Sequence, residues 1–233
     1  MEITTLASGS DGNAYIVTDG KTRILIDAGI PLREIQRGCN YTVSTLDACL
    51  VSHAHKDHCM AVKDLIAKGV DCYASKGTFD ALKLSGHRAH VAEKFAYFTV
   101  GSFRVMPFDV AHDAPEPLGF VLESTATGEK LLFFVDTGYV RYGFSGVTHL
   151  MAECNHDTES IKAAIKRGDL PPEMLPRLMK NHMSLNTLLK FLGANDWSKL
   201  RQIYLLHMSD RNSTAERMRA AVKKETGAEV YIC

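Results

Sequence analysis

Val51-Ser52-His53-Ala54-His55-Lys56-Asp57-His58 follows a short apolar strand expected over residues 48–51 and sets three imidazoles and a carboxylate on one loop. Imidazole nitrogen and carboxylate oxygen are donors that suit zinc, manganese and iron. In an extended stretch the side chains alternate, so His53 and His55 point to the same side and reach one ion. Asp57 and His58 turn away and are placed to hold a second. Ligand-type residues at this density are rare in an ordinary solvated loop, so the loop is read as metal-binding.

Outward from this loop the chain alternates between short strands and helices. Strands are expected at Glu2–Ala7, Ala14–Thr18 and Arg23–Asp27, separated by the turn signals Ser8-Gly9-Ser10-Asp11-Gly12-Asn13 and Asp19-Gly20. A helix is expected near Met60–Lys68, then a hairpin of Phe95–Val100 and Ser102–Phe108 turning at Gly101. Gly119–Ser124 and Lys130–Val135 flank Thr127-Gly128, and a strand at Thr148–Glu153 follows. Helices are read near Glu159–Arg167, Ser184–Leu192 and Thr214–Thr226, and strands at Gln202–Leu206 and Glu229–Ile232. Leu185, Leu188, Leu189 and Leu192 share one helical face, which marks a packed surface. Meanders covered by helices predict an α+β fold in which sheets pack together with helices outside.

The 233 residues are 45% hydrophobic and 23% charged, values of an ordinary globule that exclude a disordered chain. Apolar runs such as Leu131–Val135 have the length of a strand, so no membrane span is expected. Met1-Glu2 leads into a strand without a basic and then apolar leader, so no secretion signal is read and a cytoplasmic location is expected. The six cysteines form no Cys-x-x-Cys pair and are expected to be buried thiols. Net charge is 27 − 27 = 0, which argues against a tight, salt-driven duplex binder. The charge is uneven: residues 160–233 carry 13 Lys/Arg and 7 Asp/Glu, a balance of +6, and the remainder carries −6. No repeat, low-complexity tract or linker divides the sequence, so a single domain over 1–233 is expected.

His-x-His-x-Asp-His after a strand resembles the signature of the metallo-β-lactamase fold, and further motifs follow in the family's order. Asp27 in Leu25-Ile26-Asp27-Ala28-Gly29 resembles the aspartate that braces the metal loop. His112 in Val110-Ala111-His112-Asp113, Asp136 in Phe134-Val135-Asp136-Thr137-Gly138 and His207 in Leu205-Leu206-His207 resemble the third-motif histidine, the bridging carboxylate and the last ligand. The resemblance implies a four-layer αββα sandwich, two mixed sheets face to face with helices outside. It also implies two divalent ions (zinc, manganese or iron). One would be held by His53, His55 and His112 and the other by Asp57, His58 and His207, with Asp136 shared.

Three further segments narrow the branch. Ala152-Glu153-Cys154-Asn155-His156-Asp157, Asn181-His182-Met183-Ser184 and Leu206-His207-Met208-Ser209-Asp210-Arg211 are similar to segments of the RNase Z group of tRNA-processing endonucleases. The opening Leu6–Asn13, Ile26-Asp27-Ala28-Gly29, His112-Asp113-Ala114 and Glu153-x-Asn155-His156-Asp157 are similar to the small YycJ/WalJ-type exonucleases. No insertion interrupts residues 136–207, so the clamp (β-CASP) domain of larger relatives is not expected. The resemblance implies a metal-dependent hydrolase, a phosphodiesterase or nuclease acting as an exonuclease on DNA, in which metal-bound hydroxide attacks phosphorus. His182 would act as general acid, Glu153 would orient it, and Asp57 would accept a proton from the attacking water. The alternatives are a cyclic-nucleotide phosphodiesterase, a thiolester or lactam hydrolase, and a non-catalytic scaffold. The sequence leaves metal identity and oligomeric state open. Ser8, Ser10 and Asn13 offer either a phosphate cradle or a plain turn. His87, His90, His149 and His156 fit no motif and are read as surface or packing residues, and the scattered aromatics show no stacking platform.

Overall fold

The Asp19-Gly20 turn folds β2 (Ala14–Thr18) antiparallel onto β3 (Arg23–Ile26), and β1 (Glu2–Ala7) pairs with the other side of β2. Parallel strands β4 (Ala48–Leu50), β5 (Cys72–Ala74) and β6 (Ala89–Val91) continue this sheet from β3 in chain order. Between the parallel strands lie α1 (Leu32–Gly38), α2 (Lys56–Cys59), α3 (Val62–Ala67) and α4 (Lys76–Leu82). The helix expected over 60–68 is α3, and a short helix where a loop is expected, α2, precedes it and carries Asp57 and His58. Then β7 (Phe98–Val100), β8 (Phe103–Asp109) and β9 (Leu118–Ser124) form an antiparallel meander that turns at Gly101, whose φ of +53° suits glycine.

The computed structural model describes residues 1–208 and 215–233. The strands belong to two mixed sheets, of six and of seven strands. The chain falls into two compact units, residues 1–109 with 114–129, and residues 110–113 with 130–233. In the first unit the apolar residues of β2 to β5 are buried, with Leu25, Ile35, Cys49, Val62 and Leu65 inaccessible to solvent. Each fully buried aliphatic side chain of this kind contributes about 1.5–3 kcal/mol. Asp19 ties the β2–β3 turn to the meander, accepting from Ser102 Oγ at 2.6 Å, Ser124 Oγ at 2.5 Å and the amides of Lys21 and Thr22 at 3.0 Å. Burial raises the pKa of this carboxyl, and the four donors overcome that and lower it to about 2.

The second unit is built on parallel strands β10 (Lys130–Phe134), β11 (His149–Glu153), β12 (Gln202–Leu206) and β13 (Glu229–Ile232). Its helices are α5 (Thr158–Arg167), α6 (Met174–Asn181), α7 (Leu185–Gly193) and α8 (Ala215–Thr226). The second of these is not among the helices expected from the sequence; its Pro176 falls in the first turn, where no amide hydrogen is needed. Ser184 caps the next helix by accepting from the Thr187 amide at 3.1 Å. That helix buries Leu185, Leu188, Phe191 and Leu192, while Leu189 sits at the edge of the buried face. Five of the six cysteines are buried, and no helix among the described residues is long and apolar enough to cross a membrane.

Candidate metal centre

In the first unit the candidate residues gather at the carboxyl ends of β3 and β4. Asp27 leaves its strand in the left-handed region, φ +58°, which turns its fully buried carboxylate toward the loop after β4. One oxygen accepts from the Ser52 amide at 2.7 Å, and the other accepts from Ser52 Oγ at 2.9 Å and His58 Nδ1 at 2.7 Å. The Ser52 hydroxyl proton is spent on Asp27, so its oxygen accepts from His53 Nδ1 at 3.0 Å. A single buried carboxylate, directly for His58 and through Ser52 for His53, therefore keeps the proton of both imidazoles on Nδ1 and leaves Nε2 as the lone-pair nitrogen of each. An outer carboxylate fixing the tautomer of a ligand imidazole is what metal sites require. His53 Nε2 faces His55 Nδ1 at 3.2 Å, and His58 Nε2 lies 3.5 Å from Asp57 Oδ2. His53 and His55 thus lie side by side before α2, Asp57 and His58 sit on it, and imidazole and carboxylate are donors that divalent cations accept. Replacing Asp27 by Asn should weaken metal binding about 10–100-fold, measured by competition with a chromogenic chelator.

The loop is held against the first strands by its backbone. Asn13 and Ala28 donate to the carbonyls of Asp57 and His58, both at 2.8 Å. A Cβ on Gly29 would stand 1.6 Å from the Asp57 oxygen, so only glycine admits the loop there. The Asn13 side chain is buried, donates to the Gly9 carbonyl at 2.9 Å and lies 3.1 Å from His58 Nε2. It braces the loop. This role of Asn13 is not written in the sequence, because its partner His58 lies 45 residues away, and Ser52, which bonds Asp27 from 25 residues away, is a position the sequence did not mark.

The second unit brings together His112, Asp136, Glu153, His182 and His207. Asp136 and His207 follow β10 and β12 at φ +48° and +52°, positive-φ backbone of the kind also seen at Asp27. Asp136 stands between two imidazoles, with Oδ2 at 3.7 Å from His112 Nε2 and Oδ1 at 3.5 Å from His207 Nδ1. Asp136, Glu153, His182 and His207 place one donor atom each within 4.8 Å of one another.

Glu153 ends β11 fully buried. Its Oε2 accepts from the amides of Thr137 and Met183 at 2.9 and 3.1 Å, and its Oε1 lies 2.7 Å from His182 Nδ1. Burial alone would lower the His182 pKa, and its hydrogen bonds to Asp136 and Glu153 raise it to about 10. The loop carrying His182 is clamped by the extension of β11: the Asn155 amide donates to the Met183 carbonyl at 2.9 Å and the Leu185 amide to the His156 carbonyl at 2.8 Å. Asn155 Nδ2 also donates to the His207 carbonyl at 2.9 Å, so one side chain links the His182 loop to the end of β12. His156 is fully buried, and burial pushes its pKa down to about 4. His149 is buried beside Thr148 Oγ1 at 2.8 Å, and His90 stacks on Tyr73 at 4.7 Å. None of these three is part of the donor clusters. Ser209, Asp210 and Arg211, which complete the last sequence motif, lie outside the described residues.

Comparison with known proteins agrees with this geometry. Residues 22–208 match the model of a family described as beta-lactamase superfamily domain. The chain is 29% identical over 228 residues to the exodeoxyribonuclease WalJ of Streptococcus pneumoniae, covering 91% of this chain and 82% of that protein. It is 26% identical over 239 residues to the exodeoxyribonuclease YycJ of Bacillus anthracis, covering 96% and 88%. The crystal structure of zinc-bound PqqB from Methylobacterium extorquens superposes with a TM-score of 0.72 at 14% identity, covering 100% and 98%. The likeness shows the fold, and the α+β sandwich expected from the sequence is the one found.

Proposed function

The chain belongs to the β-lactamase superfamily and is a metal-dependent hydrolase, and on that footing we propose that it is a dinuclear-metal phosphodiesterase that degrades DNA as an exonuclease. The observation that carries this reading is the Glu153–His182 pair, 2.7 Å apart and 3.5 Å from Asp136 at the imidazole. A phosphodiester leaves as an alkoxide and needs a proton, whereas opening a lactam or thiolester gives this histidine no evident task. With Nδ1 bound to Glu153, His182 keeps Nε2 for the leaving oxygen. Glu153 holds the ring in place, and it is itself fixed by two backbone amides.

The proposed ligands are those of the sequence reading: His53, His55 and His112 for one ion, Asp57, His58 and His207 for the other, and Asp136 shared. In this reading the two units make one domain over residues 1–233 without a clamp insertion, and the family match, residues 22–208, draws on both. Two divalent ions held there would supply Lewis-acid polarisation of a phosphoryl oxygen and a hydroxide nucleophile near neutral pH. Zinc, manganese and iron all accept the donor set. In this reading Asp57 would accept a proton from the attacking water. The curated relatives are named exodeoxyribonucleases, which supports DNA as substrate. Five buried thiols favour the cytoplasm.

The test uses purified protein, manganese and end-labelled single- and double-stranded DNA. Degradation from an end that requires added metal and is abolished by His53→Ala is expected. Cleavage of cyclic mononucleotides with intact DNA would replace this reading by that of a small-diester phosphodiesterase, and no metal-dependent cleavage of either would reject both.

A further inference from the structure

An open groove of about 430 Å³ lies wholly within the second unit, between the segment that follows Asp136 and the exposed face of α7, which follows His182. Its size is that of a site for a ligand of nucleotide dimensions. Tyr139, Arg141 and Tyr142 line one wall, and Thr187, Lys190 and Phe191 the other. Among the described residues two cations and two tyrosines line it and no Asp or Glu does, although the chain as a whole is neutral.

The walls are rigid. The Thr137 amide is fixed to Glu153, and its hydroxyl donates to the Tyr139 carbonyl at 2.8 Å. A Cβ on Gly138 would stand 2.6 Å from the Lys180 carbonyl, so this backbone is packed against the end of α6. Tyr139 is nonetheless 55% exposed, an aromatic ring presented to solvent on a fixed backbone. Arg141 Nε donates to the Tyr142 hydroxyl at 2.8 Å, with the guanidinium 5.1 Å from the ring centre. Lys190 has no carboxylate partner among the described residues. Asn195 spends its oxygen on the Phe144 amide at 2.7 Å and its amide group on the Phe191 carbonyl at 2.8 Å, so it stitches the two walls together.

We propose that this groove holds the single strand of DNA running on from the scissile phosphodiester, with a base stacked on Tyr139 and phosphates on Arg141 and Lys190. The inference rests on the nuclease reading above and assigns it a substrate track. Aromatic rings beside cations are how single strands are held without regard to sequence, because every base has a face to stack and every linkage a charge. With Asn195 occupied by its own backbone contacts, the groove offers little to read base edges, so binding should be tolerant of sequence.

The test is fluorescence anisotropy of the full chain in EDTA with a labelled single-stranded oligodeoxythymidine, with metal-dependent degradation of the same strand measured separately. Tyr139→Ala should weaken binding about tenfold. Tyr139→Trp should restore it. Lys190→Glu should weaken it and flatten its dependence on salt, since a phosphate contact is lost. Lys68→Glu, the same charge change just past the end of α3, should leave it unaltered. Wild-type affinity in both Tyr139→Ala and Lys190→Glu overturns the proposal, as does absence of binding by the unaltered chain. Binding that responds to the groove variants in a chain that degrades no strand with any metal supports the groove and refutes the nuclease reading instead.

Discussion

Asp136→Ala should reduce turnover of DNA about a thousandfold or more and leave the protein with fewer than two bound ions. In the proposed centre this carboxylate would hold both cations, whose charge stabilisation of the transition state would be worth several kcal/mol, at about 1.4 kcal/mol per factor of ten. Within the second unit one of its oxygens lies 3.7 Å from His112 Nε2 and the other 3.5 Å from His207 Nδ1. Because the backbone there lies at φ +48°, alanine adds a strain of about 1–2 kcal/mol. Asp136→Asn removes the charge in a residue that tolerates the same backbone. The two variants should therefore be nearly equally inactive, measured by metal content and by initial rates on labelled strand. An asparagine protein with two ions and normal rates would show that the carboxylate bridges nothing.

His182→Ala should lower kcat on DNA about 10²–10⁴-fold, the usual worth of a positioned general acid. The loss should nearly vanish on a diester whose leaving group departs without a proton, such as a nitrophenyl ester. That split separates a proton donor from a residue that merely supports the loop. Glu153→Gln should fall between, because it keeps a hydrogen-bonding group beside His182 but removes the charge 2.7 Å from Nδ1. Equal losses on both kinds of ester would assign His182 to structure or metal binding.

The parts of the fold and site that were legible in the sequence are those written in local patterns. Asp27, Asp136 and His207 each end an apolar run of strand length, and the His53–His58 loop follows another, so both the strands and the position of each polar group at a strand end could be read. The left-handed backbone at these three positions could not, since nothing in Leu-Ile-Asp or Leu-Leu-His encodes a positive φ apart from its tertiary setting. The contacts made by Asn13, Ser52 and Asn155 could not be read for a related reason. Each works through a hydrogen bond to a partner defined by the fold, as Asn155 does with the carbonyl of His207. The helix over Met174–Asn181 is not among those expected, and it carries a proline, Pro176, that its first turn accommodates. Tyr139 and Lys190 are 51 positions apart in sequence, so no platform was visible until the chain brought their walls together.

The central claim is that ligands from the two units serve one pair of ions, and anomalous diffraction from crystals grown with manganese tests it most directly. The account predicts two peaks about 3.5–4 Å apart. His53, His55 and His112 should surround one, and Asp57, His58 and His207 the other, with Asp136 in contact with both. A single ion, or ions bound only by residues of one unit, would contradict it.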